Sequence, residues 1–297
     1  MMLSMTKFTL LSFITSMEEF FGNTIPVAEG VDRFVEWITE TFNWFFDPVK
    51  NDFGNLIENF AELLASLPAS IVILLAVVLA YFLSGRRFAL PVFTLVGLLF
   101  IYNQQLWEQL MFTFTLVLVA SFISVIVGIP VGILMSKSSL AEAIIKPILD
   151  FMQTMPAFVY LIPAVVFFGI GMVPGVFASF IFATPPVVRF TNLGIRQVSK
   201  ELVEASDAFG ATGKQKLFKV ELPMAKTTIM AGINQTVMLS LSMVVIASMI
   251  GAPGLGRDVL SALQRAQEGP GFVAGLSIVI LAIIIDRITQ NLNKGKA

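Results

Sequence analysis

The chain has 297 residues, of which 56% are hydrophobic and 13% charged, with a formal net charge of −1. Soluble domains carry about 25% charged residues, so this composition, with a mean hydropathy of +0.85, describes a membrane protein and argues against a nucleic-acid binder. Cys and His are both absent, which excludes disulfides, thiolate and imidazole metal sites and the Ser-His-Asp triad, so neither a metal site nor a catalytic residue is expected.

In chain order, the first 67 residues carry 10 acidic and 3 basic residues between aromatic clusters. Phe8–Met17 has the look of a signal peptide but lacks a small-residue cleavage site and is read as retained. Phe34, Val35, Trp37, Ile38 and Phe42 fall at helical spacing, which predicts an acidic amphipathic helix on the outer membrane surface or against the bundle. Apolar runs of about 17–25 residues suit a membrane crossing. Seven candidates follow: Pro68–Ser84, Phe88–Tyr102, Leu110–Leu134, Ile148–Ile170, Val173–Phe190, Thr228–Ile250 and Pro270–Ile285. None has a central charge, and Asp150 and Asp286 fall at span edges. With the N-terminus outside and the C-terminus inside, 14 of the 19 basic residues lie on the inner side and 5 on the outer, as the positive-inside rule asks.

Within the spans, Ala120, Ser124, Gly128 and Gly132 form a small-residue ridge suited to close helix packing. Pro147, Pro156 and Pro163 interrupt the fourth span and Pro185-Pro186 the fifth; such breaks either line a wet path or merely kink the helix. Met155, Pro156, Phe158 and Tyr160 on the fourth span, with the stripe Asn234, Met238 and Ser242 on the sixth, are the candidate path residues. The polar stripe serves equally for hydrogen bonds between helices. Phe151, Phe158 and Tyr160 offer π faces to a quaternary ammonium or simply pack as core. Asp150 either meets a cationic solute or pairs at the interface.

The longest inner loop, 191–226, reads as two short amphipathic helices around Ala211-Thr212-Gly213. It contains Glu204-Ala205-Ser206-Asp207, then Gly210, and after nine more residues Val220-Glu221-Leu222-Pro223. Small residues let a helix sit close to another surface, Gly210 permits a left-handed turn, and Pro223 suits the first turn of the next span. Gly210-Ala211-Thr212-Gly213-Lys214 lacks the spacing of a P-loop, and the Gly251–Gly256 run follows no strand, so this chain is not expected to bind nucleotide.

The loop resembles the E-A-A-x3-G-x9-I-x-L-P motif of ABC importer permeases, with Ser206 for the second Ala and Val220 for Ile. Met152–Pro163, Pro185–Arg189, Leu193–Val198, Met230–Thr236, Ser242–Ala247, Gly254–Gly256 and Asp286–Gln290 resemble the glycine betaine/proline betaine (ProW/OpuA-type) permeases. The likeness covers about Trp107–Gln290. It implies an all-α integral membrane protein with about seven transmembrane helices and a type I importer permease core. By this resemblance residues 107–290 are a five-helix core with the loop 191–226 coupling to an ATPase. Residues 68–106 are two peripheral helices, 1–67 the external or interfacial segment and 291–297 a cytoplasmic tail.

The resemblance further implies a homodimer in a bacterial or archaeal inner membrane, with a cytoplasmic ABC ATPase and a separate external binding protein. Glu204, Ala205, Ser206, Asp207, Gly210, Val220, Leu222 and Pro223 would couple to the ATPase, which alone would hold ATP and Mg²⁺. The expected partners are those chains, a second copy and membrane lipid; the expected cargo is a quaternary ammonium osmolyte. Choline, carnitine or proline are alternatives in the same class. An ion-coupled secondary transporter is a rival of another class, disfavoured by the lack of central charges. A non-transporting osmosensing scaffold is a third.

Overall fold

A computed structural model describes residues 27–85 and 87–294; the run Phe8–Met17, Arg86 and Lys296 lie outside the described residues. The chain divides into two units, Met1–Phe45 and Phe46–Ala297. In the first, α1 (Val27–Thr41) is the expected amphipathic helix. Phe34 stacks on Trp37 at 6.2 Å, and Glu29 pairs with Arg33 one turn on. Phe42 falls just beyond the helix, and α2 (Asn43–Pro48) runs across the division.

In the second unit a π-helical turn, Val49–Phe53, leads into α3 (Gly54–Ser66). Leu67 is extended (ψ 141°) because it precedes Pro68, and the chain turns by 96° into α4 (Ala69–Leu83). Ile57 and Ala61 of α3 are buried in the main apolar cluster with Leu110, Leu116 and Val117. This part of the acidic N-terminal stretch therefore packs on the bundle. α5 (Ala89–Asn103) returns antiparallel to α4, and α6 (Trp107–Lys137) follows. At 1.5 Å per residue α6 is roughly 46 Å long, more than the ~30 Å hydrocarbon core requires.

The fourth expected span differs most from expectation. Ile148–Ile170 is not one helix: α7 (Ser139–Thr154) ends at an extended Met155, a 3₁₀ turn occupies Ala157–Tyr160, and α8 (Leu161–Phe168) leaves at 110° to α7. Pro156 removes an N–H and drives Met155 out of the helical region (ψ 134°). Pro163 sits in the first turn of α8, where no donor is needed, and Pro147 lies inside α7. The expected interruption at Pro185-Pro186 is absent, because α9 (Met172–Arg196) is continuous through both. The two prolines are buried, and the Thr184 and Ser124 hydroxyls both donate to the Phe180 carbonyl one turn earlier. The carbonyls those prolines leave without an in-helix donor are those of Ile181 and Phe182, and α9 stays helical there packed between α6 and α12.

After α9, α10 (Lys200–Ala208), α11 (Gly213–Lys216) and a π turn at Leu217–Glu221 lead into α12 (Leu222–Ala247). An unforeseen short helix, α13 (Leu255–Gln264), precedes α14 (Glu268–Lys294). Among the described residues four helices are long and apolar enough to cross a membrane alone, or six segments when each bent pair counts as one. α5, the remaining apolar segment, has 15 residues.

The centre of the bundle is α9 between α6 and α12. The small-residue ridge of α6 faces α9, with Gly128 against Val187 and Gly132 against Thr191 and the Val188 carbonyl. A Cβ at Gly132 would lie 2.6 Å from that backbone oxygen, which cannot rotate away. Gly132→Ala is therefore expected to destabilise the bundle by about 1–3 kcal/mol, the usual cost of overpacking. Thermal unfolding in detergent checks this; an unchanged midpoint would mean that α6 and α9 separate without cost.

Candidate functional site

The expected loop 191–226 is shorter than its sequence bounds, since α9 runs to Arg196 and α12 starts at Leu222, and residues 197–221 between them form a hairpin of short helices. Ser199 caps α10 by accepting from the Leu202 N–H, and Glu201 stands in the first turn. Its carboxyl is held below its ordinary value by its own backbone N–H and then by the Ser199 hydroxyl. At the other end of α10 the Gly210 N–H donates to the Asp207 carbonyl at 2.9 Å, and Gly210 has φ +74°. Thr212 and Gln215 then form a reciprocal capping box that starts the second limb.

The eight candidate coupling residues fall into two groups. Glu204, Ala205, Ser206, Asp207 and Gly210 lie on or just after α10, no residue of which is buried. Glu204 is exposed and makes no side-chain bond among the described residues, whereas Ser206 donates to the Val203 carbonyl at 2.7 Å. Asp207, expected to offer acceptors outward, takes both bonds from Lys216, at 2.8 and 2.9 Å, and so ties the two limbs together. Val220, Leu222 and Pro223 lie where the second limb runs into α12, with Pro223 in the first turn. Phe209, at the tip of the first limb, is 93% exposed, and Phe218 on the second is also exposed.

Sequence reasoning passed over what fixes the hairpin to the bundle. Glu221, a variable position of the motif, is buried and accepts an ion pair from Lys137 at the end of α6. Beside it Arg196 of α9 pairs with Glu142 of α7 at 2.7 Å and donates to the Met135 carbonyl at 3.0 Å. Arg196 also donates to Asn192 at 2.9 Å, and Arg189 pairs with Asp150 at 2.5 Å. Of the two readings of Asp150, the ion pair is therefore the one realised. No signal in a single sequence links residues 84 positions apart, such as Lys137 and Glu221.

The candidate path residues differ in exposure and in partners. Tyr160 is buried, donates its hydroxyl to the Met152 carbonyl, and shares a small apolar cluster with Met243, against which Met155 packs. Pro156, Phe158 and Phe151 are exposed, whereas Tyr160 is not. Met238 packs on the main cluster, and Ser242 is exposed and donates to the Met238 carbonyl at 3.0 Å. Asn234 donates to Asp286 of α14 at 3.0 Å, and Gln290 donates to the same carboxylate at 2.9 and 2.8 Å. Asn234 thus makes the interhelical bond that was its alternative reading. Asp286 lies about two turns before α14 ends, further inside its helix than the apolar run suggested. Among the described residues no group of carboxylates is placed to hold a metal ion.

Residues 120–297 match the family model described as binding-protein-dependent transport system inner membrane component. The chain is 56% identical, over 91% of its length and 96% of the relative, to the glycine betaine/carnitine transport permease protein GbuB of Listeria monocytogenes. It is 51% identical, over 92% and 96%, to the glycine betaine transport system permease protein OpuAB of Bacillus subtilis. To the glycine betaine/proline betaine permease ProW of Escherichia coli it is 47% identical, over 92% and 77%. A solved structure of the inward-facing MetNI methionine ABC transporter superposes with a TM-score of 0.57 at 21% identity, covering 62% of this chain and 92% of that one. At that identity the likeness speaks for the fold alone.

Proposed function

The chain belongs to the binding-protein-dependent transport system inner membrane components, and from that premise we propose that it is the permease of an ATP-driven importer of glycine betaine and related quaternary ammonium osmolytes. The observation that carries the cargo is the likeness, over more than nine-tenths of the chain, to relatives named for glycine betaine. The apolar bundle agrees with a zwitterion of no net charge, because an unpaired charge at membrane depth is expensive.

In this reading residues 107–290 are the permease core, 68–106 two peripheral helices, 1–67 an outer or interfacial segment and 291–297 an inner tail. Two copies wall the path. Pro156, Phe158 and Ser242, exposed on the single chain, suit such a shared wall. The N-terminus is outside and the hairpin inside, where it docks on an ABC ATPase that alone holds ATP and Mg²⁺. Phe209 and Phe218 are the apolar knobs of that contact, and Glu204 its free carboxylate. When the ATPase dimer closes on ATP, the two hairpins approach, and the ion pairs at Glu221 and Arg196 pass the movement to α6, α7 and α9. An external binding protein delivers the cargo to the outer mouth.

Vesicles carrying this chain with its ATPase, loaded with ATP inside and binding protein outside, are expected to take up labelled glycine betaine only when all three components are present. Stimulation of the ATPase by a binding protein loaded with choline or carnitine, but not glycine betaine, would overturn the cargo and keep the mechanism. Uptake without the ATPase that collapses with an ionophore would overturn both.

A further inference from the structure

Residues at the end of α4 and the start of α5 and the last turns of α14 line an open cavity of about 600 Å³. Chain direction puts it at the same end of the bundle as the hairpin. α5 and α6 run in opposite directions, so α5 starts on the side toward which α6 runs to Lys137, and α14 runs back along α12 toward its start, with Asp286 meeting Asn234. The polar wall is made by Ser84, Arg87, Arg287 and Asn291. Ser84 is used up in the turn, donating to the Tyr81 and Arg87 carbonyls at 3.1 and 2.8 Å. The two arginines have no carboxylate and no side-chain hydrogen bond among the described residues. At the same end Arg189 and Arg196 each hold a carboxylate. Two unneutralised guanidiniums on one small cavity repel each other, and an anion between them removes that cost while filling their planar donor forks.

A second cavity of about 540 Å³ borders the first, between α4 and α5. Its wall is wholly apolar, with Val78 and Phe82 on α4 facing Phe88 and Val92. The two cavities share the turn: of the consecutive residues Phe82 and Leu83, and again Phe88 and Ala89, the first lines the apolar one and the second the basic one. A basic pocket adjoining an open apolar groove fits an amphiphile with an anionic head.

We propose that this is a binding site for an anionic phospholipid, with its phosphate between Arg87 and Arg287 and one acyl chain in the α4–α5 slot. Basic pockets between transmembrane helices are suited to such headgroups. A free phosphate would satisfy the arginines and leave the slot empty; a neutral lipid would fill the slot and leave the arginines unpaired. The proposal does not depend on what the protein transports.

The test is lipid retention by the full chain, drawn from vesicles of phosphatidylcholine with a minor fraction of phosphatidylglycerol and counted by native mass spectrometry after washing in detergent. The wild type is expected to keep phosphatidylglycerol in preference. Arg87→Gln with Arg287→Gln should lower that preference roughly thirtyfold, which is ~1 kcal/mol per arginine near the surface converted at ~1.4 kcal/mol per tenfold. Val92→Trp, an exposed position that fills the slot without touching either arginine, should also weaken retention. Arg265→Gln, beyond the end of α13, should leave it unchanged and shows that net charge is not the cause. An unchanged preference in the double variant would overturn the proposal. So would displacement of the lipid by inorganic phosphate together with indifference to Val92→Trp, which would make this a small-anion site.

Discussion

Replacing Gly210 by proline is expected to abolish coupling between transport and ATP hydrolysis while leaving the spans inserted. Gly210 has φ +74°, and the proline ring fixes φ near −65°. The substitution also removes the N–H that donates to the Asp207 carbonyl. It further restricts Phe209, whose ψ of 5° is outside the extended range preferred before proline. The two limbs would part, Asp207 would lose its geometry on Lys216, and Phe209 would be re-aimed. No atom beyond the adjacent residues lies within 4 Å of where a Cβ at this glycine would be. The damage is therefore conformational and graded: Asn, which tolerates the left-handed region, should retain most activity, and Ala should lose part of it at a cost of roughly 1–2 kcal/mol. The measurement is cargo-stimulated ATPase of the reconstituted complex, with membrane insertion checked by protease accessibility. Normal stimulation in Gly210→Pro would refute a docking role for the hairpin.

The hairpin was legible because its signals are local. The Gly210 turn and the Pro223 start of the next span were read from their own few residues, while the Ser199 cap and the Thr212/Gln215 box, equally local, were passed over. The long spans α6, α9, α12 and α14 were legible from apolar length, since a span must satisfy its backbone internally whatever surrounds it. The prolines show where such reading stops. Pro156 breaks its span, while Pro185 and Pro186 leave theirs whole, although all lie in similar apolar runs. What differs is tertiary: the buried pair is clamped between α6 and α12. Asn234 and Ser242 share a stripe in sequence, yet one is turned to Asp286 and the other is exposed. Whether a polar residue on a helix faces a path or a neighbour is decided by the neighbour.

The Lys137–Glu221 pair is expected to behave asymmetrically, and the asymmetry tests whether the hairpin is held by a buried charge. The Glu221 side chain is 6% exposed and that of Lys137 40%. Removing one member of a buried pair costs about 3–5 kcal/mol when the remaining charge cannot reach water. Lys137→Met leaves such a charge on Glu221, the worse case. Glu221→Gln leaves Lys137, whose flexible stem lets the ammonium reach solvent, and the loss should fall to ~1–3 kcal/mol. Substituting both positions removes the stranded charge, so the double variant should be more stable than Lys137→Met alone. Stability and coupling should then separate. The double variant recovers the melting temperature but not full cargo-stimulated ATPase, because the hairpin has lost its directional tie to α6. Equal destabilisation by both single variants, or full recovery of coupling in the double variant, would show that apolar packing alone positions the hairpin.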